Sequence, residues 1–161
     1  VPPAEVCNLV DDDCDGRCDD VSGCRVGVDR SYDGTTGEHF YTTSDSEAAC
    51  CGYTVETLDY YWLYGAQQSG LVPFYRCVLG NGFHFYTTSQ SCEGASGAMN
   101  EGSLGWIASG AVCGSVPLYR LYNSASGDHL YTTSMSEVTT AEAGGYVLEF
   151  TAGWVWTASE G

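Results

Sequence analysis

His39, His84 and His129 are the three histidines of the chain, spaced by 45 and 45 residues. Two residues after each comes the same tetrapeptide, Tyr-Thr-Thr-Ser, at 41–44, 86–89 and 131–134. An imidazole beside a phenol, next to an acid such as Glu38 or Asp128, can donate and accept hydrogen bonds to a hydroxyl-rich ligand. Trp62, Trp106 and Trp154 recur 22 to 25 residues downstream and offer apolar faces of the kind that pack on sugar C–H groups. Arg30, Arg76 and Arg120 recur 8 or 9 residues upstream. The candidate ligand-binding set is therefore Glu38, His39, Tyr41, Trp62, His84, Tyr86, Trp106, Asp128, His129, Tyr131 and Trp154. Copy two has Phe83 where the others carry Glu38 and Asp128, which puts a site there in question.

The same recurrence has a structural reading, in which Arg and His satisfy buried carbonyls or acids and the aromatics form the core. Both stay open for His and Tyr, whereas Arg fits the structural role better. Catalysis has no comparable support. A nucleophile needs a neighbouring base and an orienting group, and threefold recurrence points to architecture, so no catalytic residue is assigned and the chain is read as no enzyme.

A second chemistry lies at the N-terminus. Asp11-Asp12-Asp13-Cys14-Asp15-Gly16 fits the D-x-D-x-D-G start of a calcium loop, in which alternate carboxylates converge on one ion and the glycine permits the turn. In that register Arg17 offers its backbone carbonyl and Asp19 the next side chain, with Asp20, Asp12 or water completing the shell. Ser22 stands where an EF-hand has its bidentate Glu. Hard carboxylate oxygens favour Ca²⁺, and the spacing of Cys7, Cys14, Cys18 and Cys24 lacks the close pairs of a zinc site. A solvated acidic linker pinned by disulfides is the competing reading. The string CNLVDDDCDGRCDD resembles the metal-binding repeat C-N-G-x-D-D-D-C-D-G of MopE-type bacterial surface proteins, with Leu9 for the usual Gly, and is similar to thrombospondin type 3 calcium repeats.

Composition narrows the setting. Nine cysteines fit an oxidising, extracellular or cell-surface location. With 21 acidic residues against five Arg and no Lys, the formal charge is −16, which argues against nucleic acid or anionic lipid as partner. No apolar run is long enough to span a membrane. The chain starts VPPAEV without Met or an apolar leader, and is read as a processed or excised piece of a secreted precursor.

The elements that would position these residues follow from the repeat. Residues 1–27 are read as a separate Cys/Asp-rich module, and 28–161 as a body of three units, 28–71, 72–116 and 117–161. Each unit reads as two strands around a glycine-containing turn, then a short helix, then one or two aromatic strands. Ser134 with Glu137, and the same logic in SDSEAACCGY, predict capped helices, while glycine-rich SQSCEGASGAMNEGS predicts a shorter or broken one. Alternation places Phe40, Phe85 and Leu130 on one face with Thr42, Thr87 and Thr132, and His, Tyr and the second Thr on the other. The fold class expected is mainly β with short helices, closed around a pseudo-threefold axis as a β-trefoil-like or three-bladed domain.

The pattern R-x-Y-N-x-x-x-G-x-H-F-Y-T-T-S, kept best as Arg120, Tyr122, Asn123, Gly127, His129 and Tyr131, resembles an uncharacterised repeat family. Its members sit at the ends of secreted bacterial proteins, including cell-wall hydrolases. The resemblance implies an extracellular module, and with the residues above it gives the expected function: a non-catalytic module that binds carbohydrate such as cell-wall glycan, with Ca²⁺ stabilising its N-terminal loop. For the cysteines, Cys7–Cys14 and Cys18–Cys24 are the economical local pairs and Cys92–Cys113 an expected third. Cys50–Cys51 is either vicinal or broken by a link to Cys77. The odd cysteine keeps an alternative open, a self-associating subunit of an extracellular fibre or sheath.

Overall fold

The computed structural model describes all residues from 1 to 161. The chain is mainly β with few short helices, and the first three residues of its first strand, β1 (Arg25–Asp33), lie inside the segment expected to be a separate module. The first unit continues with β2 (Glu38–Thr42), α1 (Asp45–Ala48) and β3 (Thr54–Tyr64). The second has β4 (Leu71–Val78), β5 (His84–Thr87), a 3-10 turn at Cys92–Gly94 and β6 (Met99–Ala108). The third has β7 (Val116–Asn123), β8 (Asp128–Thr132), α2 (Met135–Ala143) and β9 (Val147–Val155). Each unit thus closes with one long strand, and the first strand lies antiparallel between the second and the last.

The hairpins and caps have local causes. Gly37, Gly82 and Gly127 take positive φ at the turns, where a Cβ would be strained. Ser44 and Ser134 accept the N–H of Glu47 and Glu137 at the starts of α1 and α2. The glutamates do not fold back as a capping box would have them; they are used elsewhere. In the second unit the helix is reduced to the 3-10 turn, as its glycines predict.

All nine strands are linked in one sheet, joined between units through the three closing strands. Tyr64 pairs Trp106 from β3 to β6, Ala108 pairs Trp154 from β6 to β9, and Trp62 bridges Trp156 just beyond β9. This pairing does not show a trefoil. Gly105 and Gly153 precede two of these tryptophans because the strands approach too closely for a side chain. A Cβ at Gly105 would lie 2.8 Å from the Tyr64 carbonyl, and one at Gly153 2.5 Å from Ile107.

The centre of the core corrects the expectation for the tyrosines. Tyr41, Tyr86 and Tyr131 are fully buried with Tyr61, Leu63, Phe74, Ile107 and Leu118 around them. Their rings meet edge to face at 5.3 to 5.4 Å. The Tyr86 hydroxyl accepts the Tyr41 N–H and donates to the Tyr41 carbonyl. Tyr131 does the same for Tyr86, and Tyr41 for Tyr131. Three phenols thereby satisfy six buried main-chain groups. They cannot also meet a ligand, because no surface of theirs is left. The opposite face of each second strand is buried too, at Phe40, Phe85 and Leu130, so polar-out alternation does not hold here.

Residues 1–23 form no helix or strand and are fastened to one end of the body. Cys7, Leu9 and Val21 pack against a second core cluster of Cys24, Tyr64, Leu71, Ala108 and Trp156. The disulfides are Cys7–Cys24, Cys18–Cys113, Cys50–Cys51 and Cys77–Cys92, with Cys14 free and exposed. The local pairs Cys7–Cys14 and Cys18–Cys24, and the pair Cys92–Cys113, are therefore overturned. Shortest loops favour sequence neighbours, but wrapping of the segment over the closing strands brings Cys18 to Cys113 instead. Of the two arrangements open for Cys50, the vicinal one is found.

Candidate functional site

Each repeated histidine sits at a joint between units, and for two of the three an acid partner comes from the unit before. His39 is held by Asp128 of the third unit: one carboxylate oxygen accepts the His39 N–H at 2.8 Å and the other lies 2.6 Å from Nδ1. His84 is held by Glu38 of the first, at 2.7 Å to both its N–H and Nδ1. Both acids are buried and take a third hydrogen bond, from Tyr146 to Asp128 and from Tyr53 to Glu38. Partial removal from water, then the carboxylate itself, raises these two phenols well above their ordinary value, so they remain donors.

The arginines follow the same rule. Arg30 binds Glu137 of the third unit at 2.7 and 3.1 Å, and Glu56 of its own at 2.9 Å. Arg76 takes Glu47 at 2.9 Å and Glu101 at 2.7 Å, and Arg120 takes Glu93 at 2.6 and 3.1 Å and Glu149 at 2.6 Å. Partial burial opposes ionisation of Glu93 and Glu137, yet Arg120 and Arg30 hold both carboxyls below the ordinary range. Tyr41, Tyr86 and Tyr131 are thus placed in the core, and Glu38, Asp128, His39 and His84 in the joints, where the two acids are buried and the two histidines mostly so. Six glutamates and two tyrosines of these joints were missed by sequence reasoning. Aligning the three copies for acids as well as for bases would have found Glu56, Glu101 and Glu149 opposite the arginines.

The joint between the second and third units breaks the rule. Phe83 stands at the acid position and Ala98 at the tyrosine position, so both partners are missing together. Phe83 lies over Gly127 at the turn, and the His129 Nδ1 is buried with no hydrogen-bond partner. Its Nε2 is 3.7 Å from Glu149, and burial, then nearby Arg120, pushes the imidazole down to about 4. A cavity of about 190 Å³ opens here, lined by Leu79, Phe85, Glu93, Ala95, Arg120, Tyr122 and His129, with the Glu93 carboxylate held by Arg120.

Among the tryptophans, Trp62, Trp106 and Trp154 are half-buried against the second core cluster. Only Trp154 borders a cavity, of about 370 Å³, with Val72, Thr88, Ser109, Thr151 and Gly153 in its walls. No charged side chain lines it.

The expected metal residues do not meet at one point. Glu5, Asp11 and Asp13 form one group whose oxygens lie within 4.8 Å of one another, and Asp13, Asp15 and Asp20 form another. Partial removal from solvent, then repulsion from Asp15, Glu5 and Asp20, raises the Asp13 carboxyl. Arg17 turns its guanidinium toward Asp20 at 3.9 Å. Asp19 is the correction: it is fully buried and accepts the N–H of Asn8 and Leu9 and the hydroxyl of Tyr64. Its oxygens fasten the N-terminal segment to the body, apart from the two acidic groups.

Four disulfides fit an oxidising environment, and no helix is long and apolar enough to cross a membrane. No curated protein and no solved structure matches this chain. One family, described as a domain of unknown function, DUF5648, matches residues 17–102 and again 80–157, so two overlapping copies cover most of the three-unit body. The chain belongs to the DUF5648 family.

Proposed function

We propose that this chain is a non-catalytic extracellular module that binds neutral carbohydrate, such as a cell-wall glycan, in the groove beside Trp154. The observation that carries the reading is the chemistry of that groove: one indole, the hydroxyl-bearing Thr88, Ser109 and Thr151, and no charge. Sugars are held by polar groups that meet hydroxyls while an aromatic face covers C–H groups. His39, His84, the three arginines and their glutamates serve the joints, which supports a role for them in architecture. We read the body as a closed three-bladed ring, since the closing strands touch in turn and the tyrosines exchange hydrogen bonds cyclically.

Calcium belongs to the same proposal. Glu5, Asp11 and Asp13, with Asp15 and Asp20 beside them, are hard oxygen donors whose mutual repulsion a cation would relieve. The ion would stiffen the N-terminal loop and contribute no chemistry to the groove. The alternative of a fibre or sheath subunit draws on Cys14, and a reductant-sensitive dimer would favour it.

The test is a screen of soluble glycans and insoluble peptidoglycan against the native chain and Trp154→Ala. Binding by the native chain that Trp154→Ala loses supports the reading. No retention on any glycan, with calcium present, overturns it.

A further inference from the structure

The joint between the second and third units is missing two groups that the protein supplies to itself at the other two. In those joints one carboxylate bridges the N–H and Nδ1 of the histidine, at 2.6 to 2.8 Å. A phenol then donates to the same carboxylate, at 2.6 Å from Tyr53 and 2.7 Å from Tyr146. The Tyr53 ring stacks on Phe40, 4.5 Å between centroids. Phe85 occupies the place of Phe40 in the second unit, where Ala98 stands in place of the stacked tyrosine and only packs at the edge of its cluster, and Phe83 leaves His129 without its acid. His129 keeps the strand position of the other two, opposite Tyr122 as His39 is opposite Tyr32. What this joint lacks is one phenol ring and one carboxylate, and the cavity opens beside the histidine that lacks them.

From this juxtaposition we infer that the cavity between Phe85 and His129 is a binding site for a small aryl carboxylate, whose ring lies on Phe85 and whose carboxylate bridges the N–H and Nδ1 of His129. Its volume, about 190 Å³, suits a single ring. The His129 side chain is 10% exposed, so its unpartnered Nδ1 is an orphan polar group of the kind that a ligand satisfies. Burial keeps the empty imidazole neutral, and in the Nδ1–H tautomer it donates as His39 and His84 are placed to do. Arg120 shapes the wall, but Glu93 and Glu149 already hold its guanidinium, which leaves His129 as the free donor. The site is distinct from the groove at Trp154, so either can fail while the other stands.

The experiment is a titration of the full chain with benzoate, phenylacetate and 4-hydroxybenzoate, following the His129 ring signals by NMR and heat by calorimetry. Benzamide is the neutral control and acetate the control without a ring. The variant Phe83→Glu/Ala98→Tyr restores the pair found in the first unit and fills the site from within, so it keeps the fold while competing with ligand. The expected result is saturable binding of an aryl carboxylate that moves His129, with benzamide and the double variant each weaker by about tenfold or more, the loss of one charge-assisted hydrogen bond. A melting curve for the double variant at or above that of the native chain confirms that lost binding is not lost folding. Absence of saturable binding by all three acids overturns the inference, as does equal binding of benzamide or undiminished binding by the double variant.

Discussion

Replacing Tyr86 by Phe removes one oxygen from the centre of the protein and nothing else. The ring still packs against Tyr41 and Tyr131, but the Tyr41 N–H and the Tyr41 carbonyl each lose a partner, formerly at 2.7 and 2.8 Å. Both groups lie in a fully buried site that water does not reach. Stranding a buried polar group costs about 1–3 kcal/mol, so two give about 2–6 kcal/mol. For a chain of this length the lower end corresponds to a fall in Tm of about 4 °C. Because the bonds run in a cycle, Tyr41→Phe and Tyr131→Phe strand two groups each and should lose similar amounts. Thermal melts followed by near-UV circular dichroism read all three, with Tyr32→Phe, outside the ring, as the control. If any of the three core variants melts with the native chain, the phenols do not serve as main-chain partners and the reasoning fails.

Acid should weaken the protein in a way traceable to one residue. Burial holds His129 at about 4 against an ordinary 6.5, so between these values the unfolded chain takes up a proton that the folded chain refuses. Stability is therefore full above pH 6.5 and falls as pH drops toward 4, by about 3 kcal/mol from this group. In urea melts the stability lost between pH 6.5 and 4 should be about 3 kcal/mol smaller for His129→Phe than for the native chain, and equal losses would refute it. Replacing Cys18 and Cys113 together by Ser opens a link that spans 95 residues of sequence. Loss of about 2–4 kcal/mol is expected, with faster proteolysis of residues 1–23, and unchanged melts would place the segment's attachment elsewhere.

Much of the architecture is legible in one sequence because the repeat is printed three times. The hairpin turns, the two capped helices and the broken second one follow from glycine and serine positions that act within a few residues. The role of Tyr41 and His39 does not, because alternation tells which residues share a face and not what covers it. Here both faces are covered, one by the other two tyrosines and one by the neighbouring unit. The same limit applies to Asp19, which reads as a calcium ligand in a run of acids yet is taken by Asn8, Leu9 and Tyr64 from separate parts of the chain. Cystine pairing fails for a related reason, since Cys18 meets Cys113 only once the body has formed. Phe83 was visible as a departure, but its partner change at Ala98 becomes meaningful only when Tyr53 and Tyr146 are seen to touch Glu38 and Asp128.

The central claim is that each unit hands its acid to the histidine of the next, and that the second unit does not. Calorimetric melting of His39→Ala, His84→Ala and His129→Ala tests this most directly. The first two each remove one of three hydrogen bonds to the buried carboxylates of Asp128 and Glu38, while the third removes a nitrogen that already lacks a partner. The account predicts losses at positions 39 and 84 that exceed the loss at 129 by about 1–3 kcal/mol. Three equal losses, or the largest at 129, would contradict it.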